Sequence, residues 1–168
     1  MKIKKSILGI TGEYYVAAEL GKRNVYAQLT LGNQKKTDLL IFSEETNKLL
    51  KIEVKCKQGS EWPNCKGILL SDTFIVFVDF KDISETERPT FYILSTKDWS
   101  NLIKKKKKEY EIKNPDSNIS IEDNVLIFND QKNKAGKPYK GIGVKKEDIE
   151  PYKENWDKIL DALNVSYD

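Results

Sequence analysis

The sequence contains no histidine among its 168 residues. This absence excludes Ser-His-Asp and Cys-His nucleophilic catalysis, acid-base catalysis by an imidazole, and the usual zinc hydrolase sites. A hydrolase built from this chain must therefore use carboxylates, lysine and a hard metal ion.

The chain also has little cysteine and no long apolar run, and both facts bear on where it works. Cys56 and Cys65 are too few for a disulfide framework, and their spacing matches no common zinc pattern. Both are therefore predicted to be reduced thiols. No segment approaches the roughly 20 apolar residues that a membrane span requires. The sequence predicts a cytoplasmic protein with no membrane association.

Arginine occurs only at Arg23 and Arg88, although lysine and arginine together number 29 against 26 acidic residues. The net charge of +3 is too small to indicate nucleic-acid binding by itself, so any basic surface must come from uneven placement. Arginine is the side chain that most often reads guanine through a two-pronged hydrogen bond. If the partner is a nucleic acid, this scarcity favours recognition of its backbone and shape.

The length and the spacing of apolar residues predict one α/β domain across residues 1–168, without internal repeats or linkers. Helices are expected over 11–22 with Thr11 as its cap, after Ser95 or Thr96, and along an apolar stripe from Ile149 to Leu163. Strands are expected over 25–30, 37–42, 49–56, 74–78, 91–94 and 125–128, the first three joined by hairpin turns. The run Phe74–Val78 is typical of a central strand covered on both faces. Residues 133–143 are expected to form a loop.

The segment Glu53-Val54-Lys55 joins an acid and a lysine, but this pattern is common in a lysine-rich chain. Composition predicts about four matches by chance. Four occur, and the other three are Asp79 to Lys81, Glu111 to Lys113 and Asp130 to Lys132. These three lie at a strand end, at a helix end and in a polar loop, so we expect them to be solvated surface charge.

Glu53 and Lys55 are distinguished by the strand that carries them. Ile52, Val54 and Cys56 alternate with polar residues, so Glu53 and Lys55 share the opposite face. Asp38 begins the preceding strand, and a hairpin can bring its carboxylate near Glu53. Two carboxylates on adjacent strands make a divalent-cation site.

Glu13 supplies a third acid from the first helix. Val16, Ala17 and Leu20 follow it at helical spacing, so Glu13 borders the inward face of that helix. A carboxylate in that position is costly unless a partner stabilises it, and a shared metal ion would do so.

Residues 10–60 resemble the PD-(D/E)XK nuclease superfamily. The resemblance rests on GE near the start of the first helix, AEL and KR near its end, a strand that begins with Asp38, and EVK on the next strand. It is nearest to Holliday-junction-resolvase-like and intron homing endonuclease-like branches. Thr37 stands where the family has proline. The resemblance implies a restriction endonuclease-like core, with a central mixed β-sheet flanked by helices in the order α-β-β-β-α-β and a C-terminal helix.

The resemblance also implies roles for individual residues in a metal-dependent endonuclease. Asp38 and Glu53 correspond to the metal-binding acids, Glu13 to the helix carboxylate and Lys55 to the catalytic lysine. The implied cofactor is Mg²⁺, for which Mn²⁺ can substitute, bound by Asp38, Glu53, the Val54 carbonyl and Glu13 directly or through water. The implied substrate is nucleic acid, and double-stranded or branched DNA is favoured.

Lysines elsewhere in the chain are candidates for contacts with the phosphate backbone. Together with one polar residue after the motif, the nucleic-acid-binding candidates are Lys35, Lys36, Lys57, Gln58, Lys66, Lys137 and Lys140. The run Lys104 to Lys108 is either a DNA contact or ordinary surface charge.

Three readings stay open from the sequence alone. The chain is an active nuclease, a catalytically silent module of the same fold that binds nucleic acid or a protein, or an unrelated α/β interaction protein. Dimerisation is open as well, since related nucleases often pair two copies to cut two strands, and no segment announces an interface.

Overall fold

The computed structural model describes residues 2–30 and 37–164. Within these ranges the helices are α1 (Lys5–Gly21), α2 (Thr96–Lys113), α3 (Lys146–Ile149) and α4 (Asp157–Leu163), with a 3₁₀ turn at Glu150–Tyr152. The strands are β1 (Ala27–Leu29), β2 (Leu39–Ser43), β3 (Lys48–Lys57), β4 (Glu61–Cys65), β5 (Thr73–Asp79), β6 (Thr90–Ser95), β7 (Ile119–Glu122), β8 (Val125–Lys132), β9 (Pro138–Lys140) and β10 (Ile142–Lys145).

A five-stranded sheet in the order β1-β2-β3-β5-β6 forms the centre of the fold. Strands β3 and β5 are parallel, and the other neighbours are antiparallel. Helices lie on both sides of this sheet, and α4 follows near the C-terminus. The predicted fold class, a central mixed sheet flanked by helices with a C-terminal helix, is confirmed. Three further strands separate β3 from α2, where the predicted order α-β-β-β-α-β has none.

Each face of the central sheet carries its own hydrophobic core. On the first face, α1 and α4 pack against apolar residues of the sheet, including Val54 and Val76. On the second face, Trp99 and Ile103 of α2 pack against Ile75 and its neighbours. All seven residues of β5 are buried, as predicted for a strand covered on both sides.

Gly12 sets the close approach of α1 to β3. A Cβ atom on Gly12 would overlap the Cys56 Sγ, because the helix backbone lies directly against that side chain. The helix begins at Lys5, earlier than predicted, and the Thr11 hydroxyl donates to the Ile7 carbonyl within the helix instead of capping its start. Glu13 therefore lies in the middle of the helix, one residue beyond its tightest contact with the sheet.

The prediction of a loop over 133–143 is wrong, because this segment contributes to two strands, β9 and β10. β9 pairs with β8, where Tyr139 lies opposite Phe128, and β10 pairs with β4, where Ile142 lies opposite Cys65. Gly141 joins the two strands with φ of 110°, a conformation open to glycine. Each strand is too short for its alternation to show among the lysines and glycines of this segment.

The prediction of one continuous last helix is also wrong. Its apolar stripe is split between two cores, since Ile149 packs on the second face of the sheet and Trp156 on the first. Pro151 lies in the 3₁₀ turn, and Glu154 has φ of 52°, so the chain turns between α3 and α4. The predicted single helix is therefore two short helices, α3 and α4, separated by the 3₁₀ turn.

An ion-pair network joins α1, the segment before β6 and the segment before α4. Glu19 is 4% exposed and accepts from both Arg23 and Arg88. Arg88 also donates to Glu154, and the Arg23 guanidinium lies 4.8 Å from the centre of the Trp156 ring. The Arg88 pairing lowers the pKa of Glu19 to about 2 despite burial. Both arginines of the chain are thus used inside the fold.

None of the helices within the described residues is long and apolar enough to cross a membrane.

Candidate active site

Strand β3 places Glu53 and Lys55 on the second face of the central sheet. The parallel register sets Glu53 beside Ile75 and Lys55 beside Phe77. Val54, between them, belongs to the core on the first face. The predicted alternation along this strand is confirmed by the register, and it follows from the two-residue period of a strand.

Asp38 lies directly before β2 and is bound to β3 at two points. Its backbone N–H donates to the Ile52 carbonyl at 2.8 Å. Its side-chain Oδ2 accepts from the Val54 N–H at 2.6 Å. A carboxylate thus holds the backbone of the residue between Glu53 and Lys55, and the hairpin has brought the predicted pair of strand acids together. The Val54 carbonyl leaves the strand on the same edge as its N–H, toward Asp38.

Glu53 has one satisfied and one unsatisfied carboxylate oxygen. Oε1 pairs with the Lys55 Nζ at 2.6 Å. Oε2 is buried and has no hydrogen-bond partner among the residues that the structure describes. The side chain is 6% exposed, so solvent reaches this oxygen poorly. A buried, unpartnered carboxylate oxygen is costly, and a cation is the partner that would satisfy it.

Glu13 reaches the same region from α1. Burial raises the pKa of Glu13, the nearby Asp38 carboxylate raises it further, and Lys55 opposes both effects. Cys56 is also close to these groups, since burial, Glu13 and Asp38 together raise the pKa of its thiol to about 12. Glu13 therefore lies near Asp38 and Lys55 in the folded chain, and Lys55 links Glu53 to the same cluster.

Lys55 is the cation of this cluster. Burial acts to lower the pKa of Lys55, but the ion pair with Glu53 and the charge of Asp38 outweigh it and raise the pKa above its ordinary value. The ammonium group stays charged at neutral pH. Its side chain is 34% exposed, so it lies at the mouth of the site rather than beneath it.

The donor set suits a hard divalent cation in its chemistry, although the acids are not gathered around one point. Within residues 2–30 and 37–164, no three Asp, Glu or Cys side chains stand close enough to form a metal site as they are. The unsatisfied Glu53 oxygen, the adjoining Asp38 carboxylate and the Val54 carbonyl are oxygen ligands of the kind that Mg²⁺ prefers. The residues present therefore fit such an ion, with Glu13 near enough to add its charge.

The predicted nucleic-acid contacts of Lys57 and Gln58 are wrong, because both side chains bind other parts of the protein. Lys57 is 4% exposed, pairs with Asp79 at 2.7 Å, and lies 4.5 Å from the centre of the Trp62 ring. The Gln58 amide binds both the N–H and the carbonyl of Ile3, each at 2.7 Å. Both side chains are committed inside the protein because β4 and the N-terminal segment fold over the end of β3.

Lys66, Lys137 and Lys140 are brought together. They line an open groove of about 320 Å³ with Asn64, Asn133, Pro138 and Tyr139. We name this surface the lysine groove. The described residues that line it include no carboxylate, and these three ammonium groups form no ion pair within the described chain. Lys35 and Lys36, also predicted to contact nucleic acid, lie outside the described residues.

The lysine groove adjoins the acid cluster through β4. Cys65 lies between Asn64 and Lys66, and it is close enough to the cluster for both Lys55 and Glu53 to act on its thiol. Burial, the largest effect, raises the pKa of Cys65 to about 12. Asn64 and Tyr139 were not predicted from the sequence, since neither carries a charge and their pairing depends on the turn at Gly141.

The run Lys104 to Lys108 is largely neutralised by neighbouring acids. Lys105 and Lys107 pair with Glu109 and Glu111 one turn further along α2, and Lys106 pairs with Asp148 at 2.5 Å. Such pairs leave little free positive charge for a phosphate backbone. Of the two readings of this run, ordinary surface charge is favoured.

No protein-family model and no curated protein matches this sequence. Among solved structures, the chain is similar to a bacterial homing endonuclease, I-Ssp6803I, with 16% sequence identity and a TM-score of 0.49. The match covers 98% of this chain and 96% of that chain. At this identity and score the likeness carries no functional assignment. The fold and the site by themselves define a mixed α/β protein with a carboxylate–lysine cluster beside a lysine groove.

Proposed function

We propose that this protein is a metal-dependent endonuclease of the PD-(D/E)XK type, which hydrolyses phosphodiester bonds of nucleic acid. The observation that carries the proposal is the buried, unpartnered Oε2 of Glu53, set beside Asp38 with Lys55 on the other oxygen. A structural role for Glu53 would satisfy both oxygens. An oxygen left without a partner is instead expected where a cation binds.

The ion would be held by Asp38, Glu53 and the Val54 carbonyl, with Glu13 directly or through water. Mg²⁺ is the expected ion, and Mn²⁺ would substitute for it. When bound, such an ion polarises a phosphate oxygen and lowers the pKa of an attacking water. It would also give Glu53 the partner that it lacks and relieve the repulsion between Glu13 and Asp38.

The protein's own groups would position the substrate. Lys55, charged and at the mouth of the site, would stabilise negative charge on the scissile phosphate. Asp38 would keep the β3 backbone in place through its bond to the Val54 N–H. The lysine groove would bind the phosphate backbone on one side of the scissile bond, because its three ammonium groups are free of carboxylate partners.

Double-stranded or branched DNA is the proposed substrate. Direct guanine readout by arginine is disfavoured, since Arg23 and Arg88 are both committed to Glu19. Recognition would depend mainly on phosphate contacts and on the shape of the nucleic acid. Two copies could act together on two strands.

The test is cleavage of supercoiled plasmid, branched DNA and single-stranded RNA in Mg²⁺, in Mn²⁺ and in EDTA. Asp38→Asn and Glu53→Gln keep the shape of the side chains and remove charge, and Lys55→Ala removes the ammonium group. We expect cleavage in either metal, none in EDTA, and a loss of at least about a hundredfold in each variant. Asp130→Asn and Lys113→Ala, taken from the other acid-and-lysine segments, are matched controls that should cleave normally.

Cleavage that persists in EDTA or in Asp38→Asn would refute the proposed site. Binding of DNA by the wild type without cleavage under any metal condition would instead support the silent nucleic-acid-binding module.

A further inference from the structure

A second cavity opens beside the lysine groove and shares Tyr139 with it. Its volume is about 240 Å³, and its lining includes Tyr110, Phe128, Gln131 and Tyr139. This volume is below the roughly 300–1,000 Å³ of pockets for drug-sized ligands. The cavity therefore suits a single ring system better than a larger molecule.

Three aromatic rings form the wall of this cavity. The Phe128 ring centre lies 5.0 Å from that of Tyr110 and 5.9 Å from that of Tyr139, at interplanar angles of 78° and 54°. Phe128 is buried, whereas both tyrosines are half-buried, so each tyrosine retains an accessible part. Aromatic faces of this kind stack on nucleobases without regard to base identity.

Polar groups fix the rim of the cavity. The Gln131 amide donates to the Tyr110 hydroxyl at 2.7 Å, and the Tyr139 hydroxyl bonds the Asn64 side chain. Gln131 is exposed, so its carbonyl oxygen is available to a ligand. A planar ring with polar edges would meet both stacking surfaces and hydrogen-bonding groups here.

Tyr139 belongs to both the cavity and the lysine groove. A phosphate chain in the groove, held by Lys66, Lys137 and Lys140, would therefore pass the mouth of the cavity. The positive charge of the groove selects a polyanion as the occupant, and the aromatic wall selects one that carries flat rings.

We propose that this cavity binds one unstacked nucleobase of a nucleic acid whose backbone lies in the lysine groove. The inference rests on the proposed function and extends it to substrate form. A base inside a duplex is not available to such a pocket without unpairing, so of the two proposed substrates branched DNA with unpaired nucleotides is preferred over a continuous duplex.

The rings also have an ordinary structural role, which the experiment must separate from base binding. Phe128 belongs to the hydrophobic core on the second face of the sheet, with Tyr110 and Tyr139 packed against it. Tyr139→Phe keeps the ring and removes the hydroxyl. Tyr139→Ala removes the stacking surface. Tyr26→Ala is the matched control, because Tyr26 is 76% exposed and lies just before β1, at the edge of the central sheet.

Binding is measured in EDTA with a fluorescent oligothymidylate of about a dozen nucleotides and with an abasic deoxyribose-phosphate chain of equal length. One stacked base contributes about 1–3 kcal/mol, which corresponds to roughly 5- to 150-fold in affinity. We expect Tyr139→Ala to lose affinity for oligothymidylate by that factor and to lose much less affinity for the abasic chain. Tyr139→Phe keeps the ring and should lose less affinity for oligothymidylate than Tyr139→Ala, whereas Tyr26→Ala should bind both probes normally.

A second measurement needs no variant. Oligonucleotides with 5-iodouracil, irradiated on the wild type, should crosslink to Tyr139 or Tyr110, with the site read by mass spectrometry. Crosslinks to other residues would overturn the base pocket. So would an equal loss of affinity for both probes in Tyr139→Ala. If the wild type binds the abasic chain as tightly as oligothymidylate, the pocket fails while nucleic-acid binding stands. If it binds neither probe, the base pocket fails, whereas the nuclease proposal is decided separately by cleavage of the plasmid and the branched DNA.

Discussion

At the scale of single residues, Glu13 bears the electrostatic cost of gathering three acids in one region. Its carboxylate is partly removed from water and lies near Asp38, and Lys55 compensates only in part. Because burial and Asp38 disfavour the charged form, the folded pKa of Glu13 is higher than its unfolded value of 4.5. The folded chain therefore holds this proton more tightly than the unfolded chain.

The raised pKa of Glu13 determines how stability changes with pH. The contribution of Glu13 to stability is fully present below pH 4.5 and is lost as pH rises through the folded pKa. Glu13→Gln removes this loss. We predict that in EDTA the variant has a higher free energy of unfolding than the wild type near neutral pH, and that the difference disappears below pH 4.5. Urea denaturation across pH measures it.

Glu109→Gln is the control for this prediction, since Glu109 lies on the surface of α2 and is 3.8 Å from Lys105. It should change stability little at any pH. A Glu13→Gln variant that is less stable at neutral pH would mean that Glu13 makes a favourable structural contact instead.

The residues of the acid cluster were predictable because they depend on local rules. Side chains alternate between the two faces of a strand, so Glu53 and Lys55 share one face of β3, and a hairpin brings Asp38 beside them. The same alternation puts Lys57 on that face, yet β4 folds over it and Trp62 covers it. Trp62 follows Lys57 closely in the sequence, but the alternation along β3 does not show that the chain turns back over this face, nor that Asp79 of β5 pairs with Lys57.

At the scale of elements, the docking of α1 on β3 depends on a missing side chain. Gly12 leaves room for the Cys56 Sγ, and the approach of the helix to the sheet determines how near Glu13 lies to Asp38. Gly9 and Gly21, on the same helix, have open space where a Cβ atom would stand. Alanine substitutions at the three glycines can therefore distinguish the effect of helix propensity from that of packing.

We predict that Gly12→Ala lowers the free energy of unfolding by about 1–3 kcal/mol, because the new methyl group overlaps the sulfur. In a Cys56→Ala background the overlap is gone, and the same substitution should stabilise the helix by up to about 1 kcal/mol. Chemical denaturation of the four proteins in this cycle measures the coupling.

Gly9→Ala is the matched control and should stabilise by up to about 1 kcal/mol in either background. Additive effects of Gly12→Ala and Cys56→Ala would show that the helix moves away from the sheet without cost.

Elements were predictable where one strong pattern filled the whole segment. The apolar run of β5 and the cap of α2, where Ser95 and Asp98 bond each other's backbone N–H groups, are of this kind. The segment over 133–143 was not, because β9 has only three residues, and β10 has four and pairs with the distant strand β4. The split of the last apolar stripe was hidden too, since periodicity does not tell which core each residue joins.

At the scale of the whole molecule, positive charge is distributed unevenly although the net charge is small. Lys105, Lys106 and Lys107 of α2 are paired with acids, whereas the three lysines of the lysine groove form no ion pair within the described chain. A polyanion that lies in the groove would release counterions from its own backbone, so its affinity would fall with salt.

We predict that replacing Lys66, Lys137 and Lys140 together by alanine reduces the slope of log affinity against log salt concentration by about 2.7 for duplex DNA. Replacing Lys105 and Lys107 together is the matched control, because both are paired, and should change the slope little. Binding titrations at several salt concentrations in EDTA measure it. Equal slopes for the two variants would remove the groove from the binding surface.

The use of both arginines in the network around Glu19 has a consequence for chemical labelling. With no histidine in the chain, every other side-chain cation is a primary amine. Amine-specific acetylation can therefore neutralise the accessible surface cations, while guanidinium groups do not react and Lys57 is shielded under Trp62. If nucleic acid is bound before the reagent is added, the lysines that it covers should escape acetylation. The pattern of unmodified lysines would then map the binding surface.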